Sequence, residues 1–137
     1  MMLFSQARGL PVVTLTDADE LGVVRSLIVD AASGAVTHVQ VRGRRPRKET
    51  VLPWDALHAV GPDAVLVRSA APVGLPPQHE LLGRRVLTEA GDAHGTVQDA
   101  VFDPATGRVQ AVRTTLGELP ADRLLGLGDY ALVVRAG

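Results

Sequence analysis

The apolar positions of this chain follow one pattern, written twice. "GVVRSLIVDAASGAVTHVQV" runs from Gly22 to Val41, and "GTVQDAVFDPATGRVQAVRT" runs from Gly95 to Thr114. Each reads Gly, Val two residues on, an apolar run, Asp, three residues, Gly, and then alternating Val. Setting Gly22 on Gly95 pairs Val24 with Val97, Ile28 with Val101, Asp30 with Asp103, Gly34 with Gly107, Val36 with Val109 and Val39 with Val112. Farther on, Pro53 meets Pro120, Asp55 meets Asp122 and Leu57 meets Leu124. The register between these two sets shifts by six residues, which puts a longer loop in the first copy. Such self-similarity marks a duplicated structural unit.

Within each copy the period is two. "VVTLT" and "VTHVQV" alternate, the 22–30 run is rich in Val, Leu and Ile, and "AVLVR" closes the first unit, so the predicted elements are strands. In "DAASG" and "DPATG" the Asp carboxylate can accept from the backbone N–H two residues on. Gly34 or Gly107 then takes the positive φ of a bulged hairpin. "PWDAL" and "PADRL" read as single helical turns opened by Pro. No segment carries three turns of helical spacing, and the predicted class is all-β.

By simple alternation the 22–30 strand has apolar side chains on both faces: Val24 and Ile28 on one, Val23, Leu27 and Val29 on the other. A strand of this kind needs cover on both sides. A unit of roughly 60 residues buries only about 60% of its unfolded surface and is marginal alone. The expectation is two small, strongly bent β-barrels packed as a pseudo-symmetric pair, residues 1–68 and 79–137. Between them a Pro/Ala-rich linker spans 69–78, where Pro76 and Pro77 favour extended backbone. Val24, Ile28, Val39, Val97, Val101 and Val112 are the expected buried positions.

Composition narrows the classes of function. A chain that is 46% hydrophobic and 21% charged is globular, without a stretch polar enough for disorder. The formal net charge of -1 supplies no global attraction to nucleic acid or anionic membrane, so any such attraction must be local. The absence of cysteine removes disulfides, thiol catalysis, iron–sulfur clusters and thiolate zinc sites. The opening "MMLFSQARGLPVV" is too interrupted by Gln6, Arg8 and Pro11 to read as a signal peptide. No run approaches the ~18 apolar residues of a membrane-spanning helix, and the expected setting is the cytoplasm.

The chain resembles the PRC-barrel domains, the β-barrels of the photosynthetic reaction centre H subunit and of a ribosome-maturation factor. The likeness rests on "LGVVRSLIVDAASGAVTHVQV…VLPWDALHAVGPDAVLV" in the first copy. In the second it rests on "LLGRRVLTEAGDAHGTVQDAVFDPATGRVQAV…LPADRLLGLGDYALVV". The Gly-x-Val-x-Asp element is complete at Gly95, Val97 and Asp99, whereas Ser26 replaces the Asp in the first copy. The resemblance implies a tandem of barrels acting as an adaptor or assembly module, without catalytic residues.

Candidate chemistry is sparse. His38, His58, His79 and His94 show no ligand spacing, and the acids Asp17, Asp19, Glu20, Glu89 and Asp92 lack the twelve-residue calcium loop. Ser5, Ser26, Ser33 and Ser69 have no Gly-x-Ser-x-Gly setting. No metal site, no cofactor and no catalytic activity are expected. One segment stands apart: "RGRRPRK" packs Arg42, Arg44, Arg45, Arg47 and Lys48 into seven residues, within the extension that the second copy lacks. It reads either as a solvated hairpin loop that discourages edge pairing or as an anion-binding finger. Trp54 follows shortly after, where the second copy has Ala121, and an indole beside arginine is a frequent interface anchor. The leading reading is a non-enzymatic module docking onto a protein complex, with Arg42, Arg44, Arg45, Arg47, Lys48 and Trp54 as candidate contacts. The alternative is an RNA- or ribosome-associated factor using the 42–48 loop, although aromatic residues for base stacking are few. A third is a small ligand or metal held between the barrels.

Overall fold

The computed structural model describes residues 1–43, 49–68 and 80–136. The chain opens with β1 (Met2–Leu3) and a one-turn helix, α1 (Phe4–Ala7). The first repeat then forms β2 (Pro11–Thr14), β3 (Glu20–Asp30), β4 (Ala35–Arg42), β5 (Glu49–Pro53), a 3-10 turn at Trp54–Ala56, β6 (Leu57–Val60) and β7 (Val65–Val67). The second repeats the series with β8 (Arg85–Thr88), β9 (Ala93–Phe102), β10 (Val109–Thr114), β11 (Gly117–Pro120), a 3-10 turn at Ala121–Arg123, β12 (Leu124–Leu127) and β13 (Leu132–Val134). Strand order is β5-β4-β3-β2-β7-β6 in one sheet and β11-β10-β9-β8-β13-β12 in the other, so the duplication in sequence is a duplication in topology. Each sheet curls into a half-barrel. Its first and last strands, β2 with β7 and β8 with β13, pair in parallel, and the other pairs within each repeat are antiparallel. The expected linker at 69–78 lies outside the described residues.

The hairpin turns have the expected chemistry. Asp30 Oδ1 accepts from the Ala32 N–H at 3.2 Å, and Asp103 Oδ1 accepts from the Ala105 N–H at 2.9 Å. Gly34 and Gly107 close the turns at φ +67° and +80°. Both 3-10 turns follow Pro53 and Pro120, whose fixed φ suits entry into a turn. The single helical turn α1 escapes the periodicity because four residues are too few to show one. Its seat comes from tertiary partners: Asp99 accepts hydrogen bonds from the Ser5 N–H and hydroxyl, and Phe4 packs edge-to-face on Phe102 with ring centroids 5.3 Å apart.

The two repeats are interlocked. Backbone bonds run both ways between the hairpin turns, Val36 N–H to Gly107 C=O and Val109 N–H to Gly34 C=O, each 2.8 Å. Met2 and Leu3 pair with Phe102 and Val101 of the second sheet, while Glu80, leading into the second repeat, bridges Ile28 of the first. A single apolar cluster runs through both halves, with Leu27, Val29, Leu52 and Val67 of one beside Leu81, Ala100, Phe102 and Leu132 of the other.

Burial corrects the parity of the long strand. The β3–β4 register slips between Val24 and Ser26, a bulge that adds a residue and turns later side chains to the opposite face. Val24 therefore shares the core with Leu27 and Val29, and Ile28 is buried on the other face. The slip recurs between β9 and β10, where Val97, Ala100 and Phe102 face the core. Val101 consequently points outward and is only half-buried, unlike the other five expected positions. Equivalent positions should thus respond differently to truncation. Ile28→Ala is expected to cost about 2–5 kcal/mol. Val101→Ala should cost under about 1.5 kcal/mol, as partial exposure demands, with urea unfolding as the measurement.

Candidate functional site

The foot of the basic loop is fixed by a buried polar chain. Arg42 ends β4 and lies opposite Glu49, which begins β5, so the two residues flank the loop as a cross-strand pair. Ser26, replacing the expected Asp, donates to Gln40 Oε1 at 2.9 Å, and Gln40 donates to Glu49 Oε2 at 2.9 Å. Both Ser26 and Gln40 are buried, where an unmade hydrogen bond would be costly. Arg25 also reaches Glu49, at 3.1 Å. With Gln40 and Arg25 on that carboxylate, the exposed Arg42 is left without a side-chain partner among the described residues. Gly22 holds this end of the ladder close: at φ +151°, a Cβ there would lie 2.0 Å from the Arg42 carbonyl oxygen.

Arg8, just after α1, completes the cluster. It donates to the Arg25 carbonyl at 3.3 Å and pairs with Glu80 at 3.8 Å. Arg8, Arg25, Arg42 and Glu80 line one open depression of about 360 Å³. The two ion pairs are solvent-exposed and each contributes at most about 1 kcal/mol, so an incoming carboxylate or phosphate can compete for the guanidinium groups. Arg44, Arg45, Arg47 and Lys48 lie outside the described residues. Sequence reasoning missed Arg8 and Arg25. The one signal for Arg25 was a charge inside an apolar strand; Arg8, seventeen residues earlier, carried none.

Trp54 is elsewhere. Pro53 pairs with His38, four residues along β4 from Arg42, which places Trp54 beyond the far end of the ladder, about 13 Å away in an extended strand. The basic foot and the tryptophan do not form one site. Half-buried Trp54 instead crosses to the second repeat and lies on the turn at Gly107, where a Cβ would come within 2.9 Å of the indole Cε2. Among the described residues no three His, Asp or Glu side chains gather as metal ligands, and no helix is long and apolar enough to cross a membrane.

The PRC-barrel domain family matches the chain twice, over residues 1–71 and 77–137. No curated protein matches it.

Both turn glycines have positive φ, but only Gly107 is roofed by an indole. Gly34→Ala is expected to cost about 1–2 kcal/mol, the conformational penalty alone. Gly107→Ala should cost more and shift the emission of Trp54, the only tryptophan, with chemical unfolding and fluorescence as the readouts.

Proposed function

The chain belongs to the PRC-barrel domain family in both of its halves, and on that premise we propose that it is a non-enzymatic interaction module docking onto an acidic face of a protein complex. The observation carrying this reading is the convergence of Arg8, Arg25 and Arg42, from three separate stretches of the chain, on one open depression, with Arg42 at the foot of the basic segment. Guanidinium groups bind carboxylates through paired N–H donors, and among the described residues Arg42 has that capacity unspent. The second half lacks the feature. There β10 and β11 join through Thr115 and Leu116, and Arg113 pairs across the ladder with Glu118 at 3.7 Å.

The same patch supports a second reading, an RNA- or ribosome-associated factor, because phosphates suit the same donors. No aromatic side chain lines the depression, which favours the protein partner, since single-stranded bases bind largely by stacking. Pull-down by the full-length protein, with and without nuclease, separates the two. A partner retained after nuclease is the expected result, and loss of every partner would transfer the function to RNA. Replacing Arg42, Arg44, Arg45, Arg47 and Lys48 together with Ser should weaken the retained complex at least about tenfold and flatten its salt dependence. The melting temperature should stay within about 2 °C, as exposed charges contribute little to folding. Unchanged affinity and salt slope would remove the patch from the interface.

A further inference from the structure

The two hairpin turns that bond each other across the pseudo-twofold are furnished unequally. Gly107 is covered by Trp54; its equivalent, Gly34, should be covered by the equivalent of Trp54, which is Ala121. A methyl group cannot reach, and none of the described residues lies within 4 Å of where a Gly34 Cβ would be. A notch of about 260 Å³ opens there, lined by Gly34 and Ala121 and edged by Ser33, Asp122, Arg108 and Arg135. One water takes about 30 Å³, so the notch has room for a ring-sized group.

We propose, resting on the reading of the chain as an interaction module, that this notch receives an aromatic side chain of a protein partner, next to a carboxylate in the same segment. The other half shows what its framework accommodates: the same Pro-led 3-10 turn above the same Asp-to-Gly hairpin turn seats an indole. The rim supplies the charge. Arg108 and Arg135 are exposed, and neither guanidinium has an acidic partner among the described residues. With Asp122 on the same rim, the charges are two cations and one anion, which selects an acidic segment. Guanidinium planes also stack on aromatic faces, so the arginines can clamp the ring and bind the neighbouring carboxylate together. The Asp122 carboxylate, on the same rim, can accept an N–H from the incoming segment.

The test is a titration of the full-length, ¹⁵N-labelled protein with the blocked peptide acetyl-Glu-Trp-Glu-amide, followed by amide chemical shifts. Saturable shifts centred on Ser33, Gly34, Val109 and Asp122 are expected, with a Kd on the order of 1 mM for so small a ligand. Acetyl-Glu-Ala-Glu-amide and acetyl-Lys-Trp-Lys-amide should each bind at least about tenfold more weakly. Ala121→Trp, which restores the missing indole, should abolish the shifts. The double variant Arg108→Glu, Arg135→Glu leaves the notch's shape intact and should weaken binding at least about tenfold, so the proposal stays testable if Ala121→Trp fails to fold. Equal binding of the alanine peptide, or undiminished binding by the double variant, would overturn it. The peptide titration reads the notch alone and the salt dependence of the captured complex reads the Arg8–Arg25–Arg42 patch, so either can fail without the other.

Discussion

Leu27, Ile28 and Val29 are three consecutive buried apolar residues on one strand, and successive side chains of a strand point to opposite faces. No single curled sheet of this size can cover both. The strand therefore requires the second repeat, and most of the architecture follows from meeting that need. The chain leading into each repeat crosses onto the long strand of the other: Met2–Leu3 onto Phe102 and Val101, Glu80 onto Ile28. The hairpin turns exchange backbone bonds, which also satisfies N–H and C=O groups that burial would otherwise orphan. Core volume is traded between the halves. Ala7 and Leu81 occupy matching places, as do Leu27 and Ala100, and Val29 and Phe102, so bulk missing from one side is made up from the other.

Much of this was legible in the sequence. The repeat, the Asp–Gly hairpin turns, the Pro-led 3-10 turns and the two-faced strand are all short-range signals, and each appears where the pattern put it. The bulge between Val24 and Ser26 was not legible: no residue there announces an extra position, and one inserted residue reverses every later parity. The matching irregularity between Val97 and Asp99 turns Val101 off the core face that Val97, Ala100 and Phe102 share. Helix α1 was hidden for a different reason, since its seat depends on Asp99 and Phe102, some ninety residues away. The same distance effect hid the arginine depression. Arg8 and Arg25 are unremarkable in sequence and become neighbours of Arg42 only through the β3–β4 ladder and the turn after α1.

Duplication leaves the two halves free to diverge in their surfaces while sharing a core. The first half has a longer basic segment, with Arg42 at its foot, and an indole that covers the Gly107 turn. The second has a tight β10–β11 turn and, at Ala121, an open notch. Ser26 against Asp99 shows the same divergence inside the fold. Asp99 holds the backbone of α1, whereas Ser26 starts the hydrogen-bonded chain through Gln40 to Glu49 that frees Arg42. A pair of symmetric barrels thus presents two different faces, one cationic and open and one a ring-sized notch, without altering the framework that supports them.

Each repeat supplies half of one core, and on this basis neither is a folding unit by itself. This is tested most directly by expressing residues 1–68 and 80–137 as separate chains and recording their NMR dispersion and thermal unfolding alone and mixed. Neither fragment is expected to unfold cooperatively by itself, and mixing them is expected to restore dispersed amide signals and a single transition. Two fragments that each give dispersed spectra and melt cooperatively at the temperature of the intact protein would contradict it.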